Sequence, residues 1–444
     1  MQKRNPLFNF HPKVTSPDTI WFIPIIYMVF AVILGRFLPN LDHSFRLQTS
    51  YFSPGTAISL LSTISSGMIG FTGFVFSMLF VMVQFGSSAY TPRISRYFIQ
   101  DPIVAHSLGI FISTFLYSLI ALSQVDLSGS GVVPDLTVAA AMVFLLSSVI
   151  FFLLLIRRTA SLQINSVLQM LGAYGYEVIS HLFPLLPPSA FQSPENLAHS
   201  IHERGTVPTI HLPESSGRII EEICYHGRPR RILEYDLKQL VRLAQKADVA
   251  IHIHPAVGDM MNDTQKLVTI YANHAVKPAS AAILHAIHVG PDRTIEMDPR
   301  FSIRLIVDIA IRALSPAIND PTTAVQALDQ LYDILYQIAI RNLDVGTIYD
   351  DRGVLRVIFP TPDWNDFLTL ATDEIRSYGA GSLQVMRRLH ALLSDLRQVV
   401  PPERLPAVEH LLQRVNATID RAFPDPEDQI LAKEPDRQGI SIVE

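Results

Sequence analysis

Residues 58–85, ISLLSTISSGMIGFTGFVFSMLFVMVQF, contain no Asp, Glu, Lys or Arg. At about 1.5 Å of rise per residue, such a helix exceeds the roughly 30 Å hydrocarbon core of a bilayer, so it reads as a span that tilts or protrudes. Its neighbours follow the same pattern, with further apolar stretches at about 20–38, 103–122 and 136–156. The third of the four carries His106 near its start, and the last runs uninterrupted into Arg157-Arg158. Residues 1–158 therefore read as a transmembrane domain. The apolar run after Lys3, Arg4 and Lys13 is long and lacks a small-residue cleavage site, so it is read as a retained span rather than a leader.

Loop charge sets the expected topology. Lys3, Arg4, Lys13, Arg93, Arg96, Arg157 and Arg158 fall on one side and Arg36 and Arg46 on the other, which places both termini in the cytoplasm. The 49% hydrophobic fraction averages two unlike halves. Of 35 Lys/Arg and 40 Asp/Glu, nine and five occur up to Arg158, leaving 26 against 35 in the remainder. A tail of net charge −9 is a poor partner for nucleic acid. Cys224, the single cysteine, reads as a reduced buried thiol.

After the spans, residues 159–183 read as a helical extension that ends at the proline-rich stretch Pro184–Pro194, a domain boundary. Residues 184–276 read as a small α+β or β-barrel-like module, with Asp236 capping a helix through Ala247 and a strand over Val249–His254. Residues 277–423 read as helical: 280–288, 301–314, 321–342, 364–378, 383–399 and 402–423. The charged, proline-bearing 424–444 reads as a disordered tail. The fold class expected is a membrane all-α domain of four transmembrane helices, then a cytosolic α+β region and a helical C-terminal region.

Three groups of residues stand out as candidate sites. Ser62, Ser66, Gly67, Gly70, Gly73 and Ser77 put small residues along the second span, where they either line a conduit or let helices approach closely. Gln84, Ser87, Ser88, Arg93 and Arg96 follow it as a cytoplasmic vestibule or as a loop whose arginines meet lipid headgroups. The string Arg312-Ala313-Leu314-Ser315-Pro316-Ala317-Ile318-Asn319-Asp320-Pro321 holds two cap-then-proline pairs, so two helix starts are expected within six residues. Arg312, Ser315, Asn319 and Asp320 are then candidates for an anion site, or Arg312 pairs with Asp320 or Asp308 as a structural staple. Arg293, Asp298, Arg300 and Asp308 join them as candidates on the approach to that string.

Histidine pairs at His252/His254 and His285/His288 have spacings usable by a metal on a strand and on a helix, but neither has an attendant carboxylate motif, so satisfied histidines are expected and no metal. A turn at Pro255–Asp263 before the strand 267–270 is similar to lipoyl-like domains, yet no lysine sits in a modification motif, so no cofactor is expected. Nucleophile-elbow, Walker and Rossmann strings are missing, and no catalytic constellation is found.

The strings Arg312–Ala324, Gly290-Pro291-Asp292-Arg293-Thr294, Asp298-Pro299-Arg300-Phe301 and Gly70-Phe71-Thr72-Gly73-Phe74-Val75-Phe76-Ser77 together resemble the bacterial predicted-membrane-protein family called domain of unknown function 2254. The resemblance covers roughly residues 20–400 and departs at Thr91-Pro92-Arg93, where a serine is expected before the proline. It implies a bacterial inner-membrane protein and brings no activity with it. Four short-loop helices rarely enclose a pathway alone, so the reading preferred here is a homo-oligomeric channel or transport-type protein regulated by its cytosolic part. The partners expected are the lipid bilayer, further copies of the chain, and an ion or small-molecule ligand. A membrane-anchored sensor or scaffold is the alternative.

Overall fold

The computed structural model describes residues 19–45, 51–89, 101–127, 135–160, 163–191, 218–274, 279–293 and 298–437. The chain divides into two compact units, one within Val14–Val167 and the other from Leu168 onward.

The first unit consists, among the described residues, of α1 (Thr19–Phe45), α2 (Pro54–Ala89), α3 (Pro102–Leu127) and α4 (Asp135–Ala160). Each contains a window long and apolar enough to cross a membrane, at Phe22–Leu41, Pro54–Gln84, Pro102–Val125 and Asp135–Arg158. α3 is central: half of its window is buried, against 11–22% for the others. α2 packs through Ala57, Leu61, Ile64, Met68 and Val75, a stripe at helical spacing. Hydroxyls join α3 to α4 inside the bundle, with Thr114 Oγ1 2.7 Å from Ser148 Oγ and Tyr117 donating to the Thr137 carbonyl at 2.9 Å. In an apolar medium these bonds hold helices together. The ends are tied as well: the Asp135 carboxylate accepts from the backbone of Tyr51 (2.7 Å) and Phe52 (3.1 Å), and Arg158 pairs with the buried Asp101. The starts of α2 and α4 thus lie together, as do the start of α3 and the end of α4.

The second unit opens with α5 (Ile164–Leu182), which crosses α8 (Pro299–Ala313) and α9 (Pro321–Ala339) closely. A Cβ on Gly175 would lie 2.9 Å from both Ile334 Cδ1 and Ser302 Oγ, so a larger residue there would push these helices apart. Just after α5, Leu186 N–H donates to the Ile340 carbonyl and Asn342 N–H to that of Pro184. The extension read from 159–183 is therefore part of the helical core, and its end is hydrogen-bonded to the end of α9.

A five-stranded sheet runs β1 (Arg218–Cys224), β5 (Lys266–Ala272), β3 (Ala250–Ile253), β8 (Leu355–Ile358), β7 (Thr347–Tyr349), and a three-stranded one runs β4 (Met260–Met261), β2 (Arg230–Tyr235), β6 (Ile287–Gly290). α6 (Leu237–Ala247), capped by Asp236 at Gln239 N as expected, covers the sheets through Leu240, Val241 and Ala244. The module is thus completed by strands from the region read as helical. β3 and β8 pair in parallel, Ile251 against Val357, across about a hundred residues of chain. The expected helix over 280–288 ends at His285 as α7 (Ser280–His285) and passes into β6.

Helices α8, α9, α10 (Trp364–Tyr378), α11 (Leu383–Val399) and α12 (Leu405–Ala422) form the remaining core. The tail read as disordered carries α13 (Pro426–Lys433), because Asp425 caps it at Glu427 N and Ala432 is fully buried. Beyond it, Arg437 pairs with Asp395 at 2.7 Å. Cys224 is half-buried rather than buried.

Candidate functional site

The site starts with a turn. After β3 the chain folds back at Pro255–Asp259: Asp259 N–H donates to the Ala256 carbonyl (3.0 Å) and the Asp259 carboxylate accepts from Ala256 N–H (2.8 Å). Two bonds to Ile232, Gly258 N–H to its carbonyl (2.8 Å) and its N–H to the Asp259 carbonyl (3.0 Å), hold the turn on β2. Gly258 has φ +91°, a conformation nearly confined to glycine, and a Cβ there would lie 2.8 Å from Asp298 Oδ2 and 2.9 Å from Arg293 Nε.

Three arginines converge on this turn from three elements. Arg231 Nη1, from β2, and Arg293 Nε, from the segment after β6, both donate to the Gly258 carbonyl, at 3.0 and 3.2 Å. Arg300 Nη2, from the first turn of α8, donates to the Val257 carbonyl at 2.5 Å. Asp298 caps α8 by accepting from Arg300 N (3.0 Å), and lies 3.4 Å from Arg300 Nε and 3.8 Å from Arg293 Nη1. Its side chain is 4% exposed and its Oδ2 has no hydrogen-bond partner. Burial pushes the Asp298 carboxyl up, against the pull of Arg300 and Arg293. Burial also lowers Arg293, while Arg300 and Arg231 oppose its charge. Tyr235, raised by burial, stays a neutral phenol and donates to the Pro255 carbonyl.

Beside Asp298 and Arg300 lies a cavity of about 100 Å³, walled by Phe183, Tyr235, Val257, Val345 and Phe359, with Glu234 at its edge. Its lining combines one guanidinium, Arg300, and two carboxylates, Asp298 and Glu234, with a largely apolar wall, as small-ligand sites do.

The structure thus separates the sequence candidates. Arg293, Asp298 and Arg300 come together. Asp308 lies along the 15-residue α8, roughly 12–15 Å away, and Arg312, Ser315, Asn319 and Asp320 lie at or beyond its other end, about 20 Å away by helical rise. There, the helix start expected at Ser315-Pro316 is corrected. Ile318 and Asn319 N–H groups both return to the Ser315 carbonyl, Asn319 takes φ +50°, and Asp320 N–H reaches the Ala313 carbonyl, so Ser315–Asn319 is a reversing turn. Asp320 caps α9 through Thr323 N (3.1 Å) and Thr323 Oγ1 (2.6 Å), which fills the helix terminus with a carboxylate. Asp308 pairs with Arg304 at 2.6 Å, and Arg304 also pairs with Glu374. Arg312 Nε is buried without a hydrogen-bond partner.

On α2, Ser62 is half-buried while Ser66, Gly67, Gly70, Gly73 and Ser77 are exposed, and a Cβ on any of the three glycines would meet nothing within 4 Å. The small-residue face therefore points away from the bundle. An open apolar groove of about 410 Å³, lined by Ile69, Thr72, Gly73, Phe76, Ile112 and Phe115, runs beside it. Gln84 is exposed near the end of α2; Arg93, Arg96 and the side chains of Ser87 and Ser88 lie outside the described residues.

His252 and His254 share one face of β3 with ring centroids 4.3 Å apart, and His254 Nε2 is 2.7 Å from Thr269 Oγ1. His285 and His288 do not share a helix; His288, on β6, lies 3.6 Å from Glu234. Among the described residues no group of three or more His, Cys, Asp or Glu is placed to hold a metal ion.

Arg231 and Gly258 were not legible as site residues. The available signal was the Gly258-Asp259 turn, which the sequence marks without indicating what it faces.

Two of the strings that carried the family resemblance, 290–293 and 298–301, meet at this turn. The family profile described as predicted membrane protein, domain of unknown function 2254, matches residues 17–395. The chain belongs to this family. Similar chains in the curated proteins include uncharacterized proteins of Mycobacterium bovis and Mycobacterium tuberculosis, each 26% identical over 401 residues, spanning 88% of this chain and 74% of theirs. No solved structure matches. Membership of domain of unknown function 2254 and the four apolar helices together make the chain a predicted membrane protein of unknown function.

Proposed function

We propose that this protein is a homo-oligomeric channel or transport-type protein of the bacterial inner membrane, whose copies meet through α2 and whose C-terminal unit regulates it from the cytoplasm. The observation that carries this reading is the outward face of α2. Ser66, Gly67, Gly70, Gly73 and Ser77 give a helix surface with no bulk, beside an open groove. In lipid such a surface favours close approach of another helix, because small residues let backbones pack and polar groups find partners across the interface. Within one copy the bundle interior is filled by Leu61, Phe111, Tyr117 and Val138, which supports a pathway between copies rather than through one. The charge asymmetry of the loops supports a cytoplasmic C-terminal unit.

The test is reconstitution. Gly70→Leu should disrupt the oligomer and abolish solute or ion flux from liposomes while the monomer stays folded; flux equal to wild type would overturn the reading. The alternative, a membrane-anchored sensor or scaffold, is favoured by the arginine turn at Gly258 and predicts ligand binding with no flux under any condition.

A further inference from the structure

We propose that the Gly258 turn is a binding site for a phosphate-type oxyanion, held by Arg231, Arg293 and Arg300. This inference is independent of the α2 interface, since none of its residues lies in the first unit.

Arg231 and Arg293 donate to the same carbonyl oxygen, at 3.0 and 3.2 Å, so these two nitrogens are at most about 6 Å apart. Arg300 binds the carbonyl of the preceding residue. Three full positive charges are thereby drawn to adjacent peptide groups. Guanidinium keeps its proton under all ordinary conditions, so the repulsion is not relieved by deprotonation. The carboxylate in contact is Asp298, at 3.4 Å from Arg300 and 3.8 Å from Arg293, and burial disfavours its ionised form. Asp259, in the turn itself, adds a second carboxylate, which accepts from Ala256 N–H. Among the described residues, three guanidinium groups thus face two carboxylates, Asp298 and Asp259.

Each guanidinium has five N–H donors, and the bonds to Val257, Gly258 and Asp298 use few of them. The side chains of Arg293 and Arg300 are 30% and 23% exposed, which leaves these donors reachable from solvent yet partly out of water. That environment strengthens charge-assisted hydrogen bonds. Planar guanidinium forks arriving from three elements suit a tetrahedral oxyanion that accepts two bonds from each. The cavity beside Arg300 gives room for a small organic group attached to it. An ester of phosphoric acid fits, and it could come from a soluble metabolite or a lipid headgroup.

The test uses the full-length protein in phospholipid-free maltoside micelles, with thermal unfolding followed as inorganic phosphate or pyrophosphate is added against chloride at equal ionic strength. A second arm adds short-chain phosphatidic acid below its micelle concentration. Stabilisation by phosphate or pyrophosphate assigns a soluble ligand; stabilisation by the lipid alone assigns a headgroup. Arg293→Gln and Arg231→Lys, which keeps the charge and loses the fork, should each weaken binding roughly tenfold. Arg352→Gln, which removes one exposed arginine elsewhere, should leave it unchanged. The proposal is overturned if none of the three anions stabilises beyond chloride, or if Arg293→Gln and Arg231→Lys bind as wild type does.

Discussion

Substituting Gly258 by alanine isolates the turn on which the candidate site depends. Its φ of +91° costs an L-residue about 1–2 kcal/mol in backbone conformation alone. The new Cβ would also lie 2.8 Å from Asp298 Oδ2 and 2.9 Å from Arg293 Nε, distances that force one of these groups aside. Displacing Arg293 breaks its 3.2 Å bond to the Gly258 carbonyl, a charged hydrogen bond worth roughly 1.5–3 kcal/mol. The total is about 2.5–5 kcal/mol. Gly353 supplies the control, because it has φ +75° and nothing within 4 Å of a Cβ, so alanine there incurs the backbone term only. For a unit of this size about 1 kcal/mol shifts Tm by roughly 2–4 °C. In thermal unfolding of the detergent-solubilised protein, Gly258→Ala should lower the transition of the C-terminal unit by roughly 5–20 °C and Gly353→Ala by roughly 2–8 °C. Equal shifts for the two would refute the claim that the turn is held against Asp298 and Arg293.

Other substitutions probe the same framework. Arg404 donates to the carbonyls of Ile338, Ala339 and Arg341 at the end of α9 and lies over Trp364, so Arg404→Ala should destabilise by roughly 3–5 kcal/mol, with hydrogen exchange fastest at the end of α9. Asp320→Ala removes the α9 cap and should cost about 1 kcal/mol, while Asp320→Asn should retain most of it; indistinguishable unfolding midpoints for wild type and Asp320→Ala would exclude the cap. Burial, helped by His254, lowers His252 to about 4 from the usual 6.5. The unfolded chain then binds the proton first, so stability is complete above about 6.5 and falls as pH drops towards 4. His252→Gln should flatten the stability profile in that window, and an unchanged slope would argue against the assignment.

What could be read from the sequence follows the range of the interactions involved. The four apolar helices are local: a run such as 58–85 excludes charge over a length sufficient to cross a bilayer. The caps at Asp236, Asp320 and Asp425 are local too, although the last was submerged in a charged composition that suggested disorder. Ser315-Pro316 looked like the same signal, yet the chain used the Ser315 carbonyl for two return bonds and let Asn319 adopt a positive φ. Strands β7 and β8, three and four residues long, have no periodicity to detect, and β8 finds its place through β3 far along the chain. At the site, Arg293, Asp298 and Arg300 stood out in two of the strings that carry the family resemblance. Arg231 joins them only because β2 pairs with β4 and β6, with Arg231 opposite both Met260 and Gly290. The small residues of α2 were visible as a face, but whether that face packs inward depends on the stripe Leu61, Ile64 and Met68 that competes for the bundle.

The claim most central to this account is that copies of the chain meet along the small-residue face of α2. Cysteine crosslinking in native membranes tests it, with Cys224 replaced by serine and single cysteines introduced at Ser66 or Gly73 on that face and at Ile33 or Leu153 on exposed faces of α1 and α4. Covalent dimers should form rapidly at 66 and 73 and slowly, if at all, at 33 and 153. Equal crosslinking at all four positions, or dimers confined to 33 and 153, would contradict it.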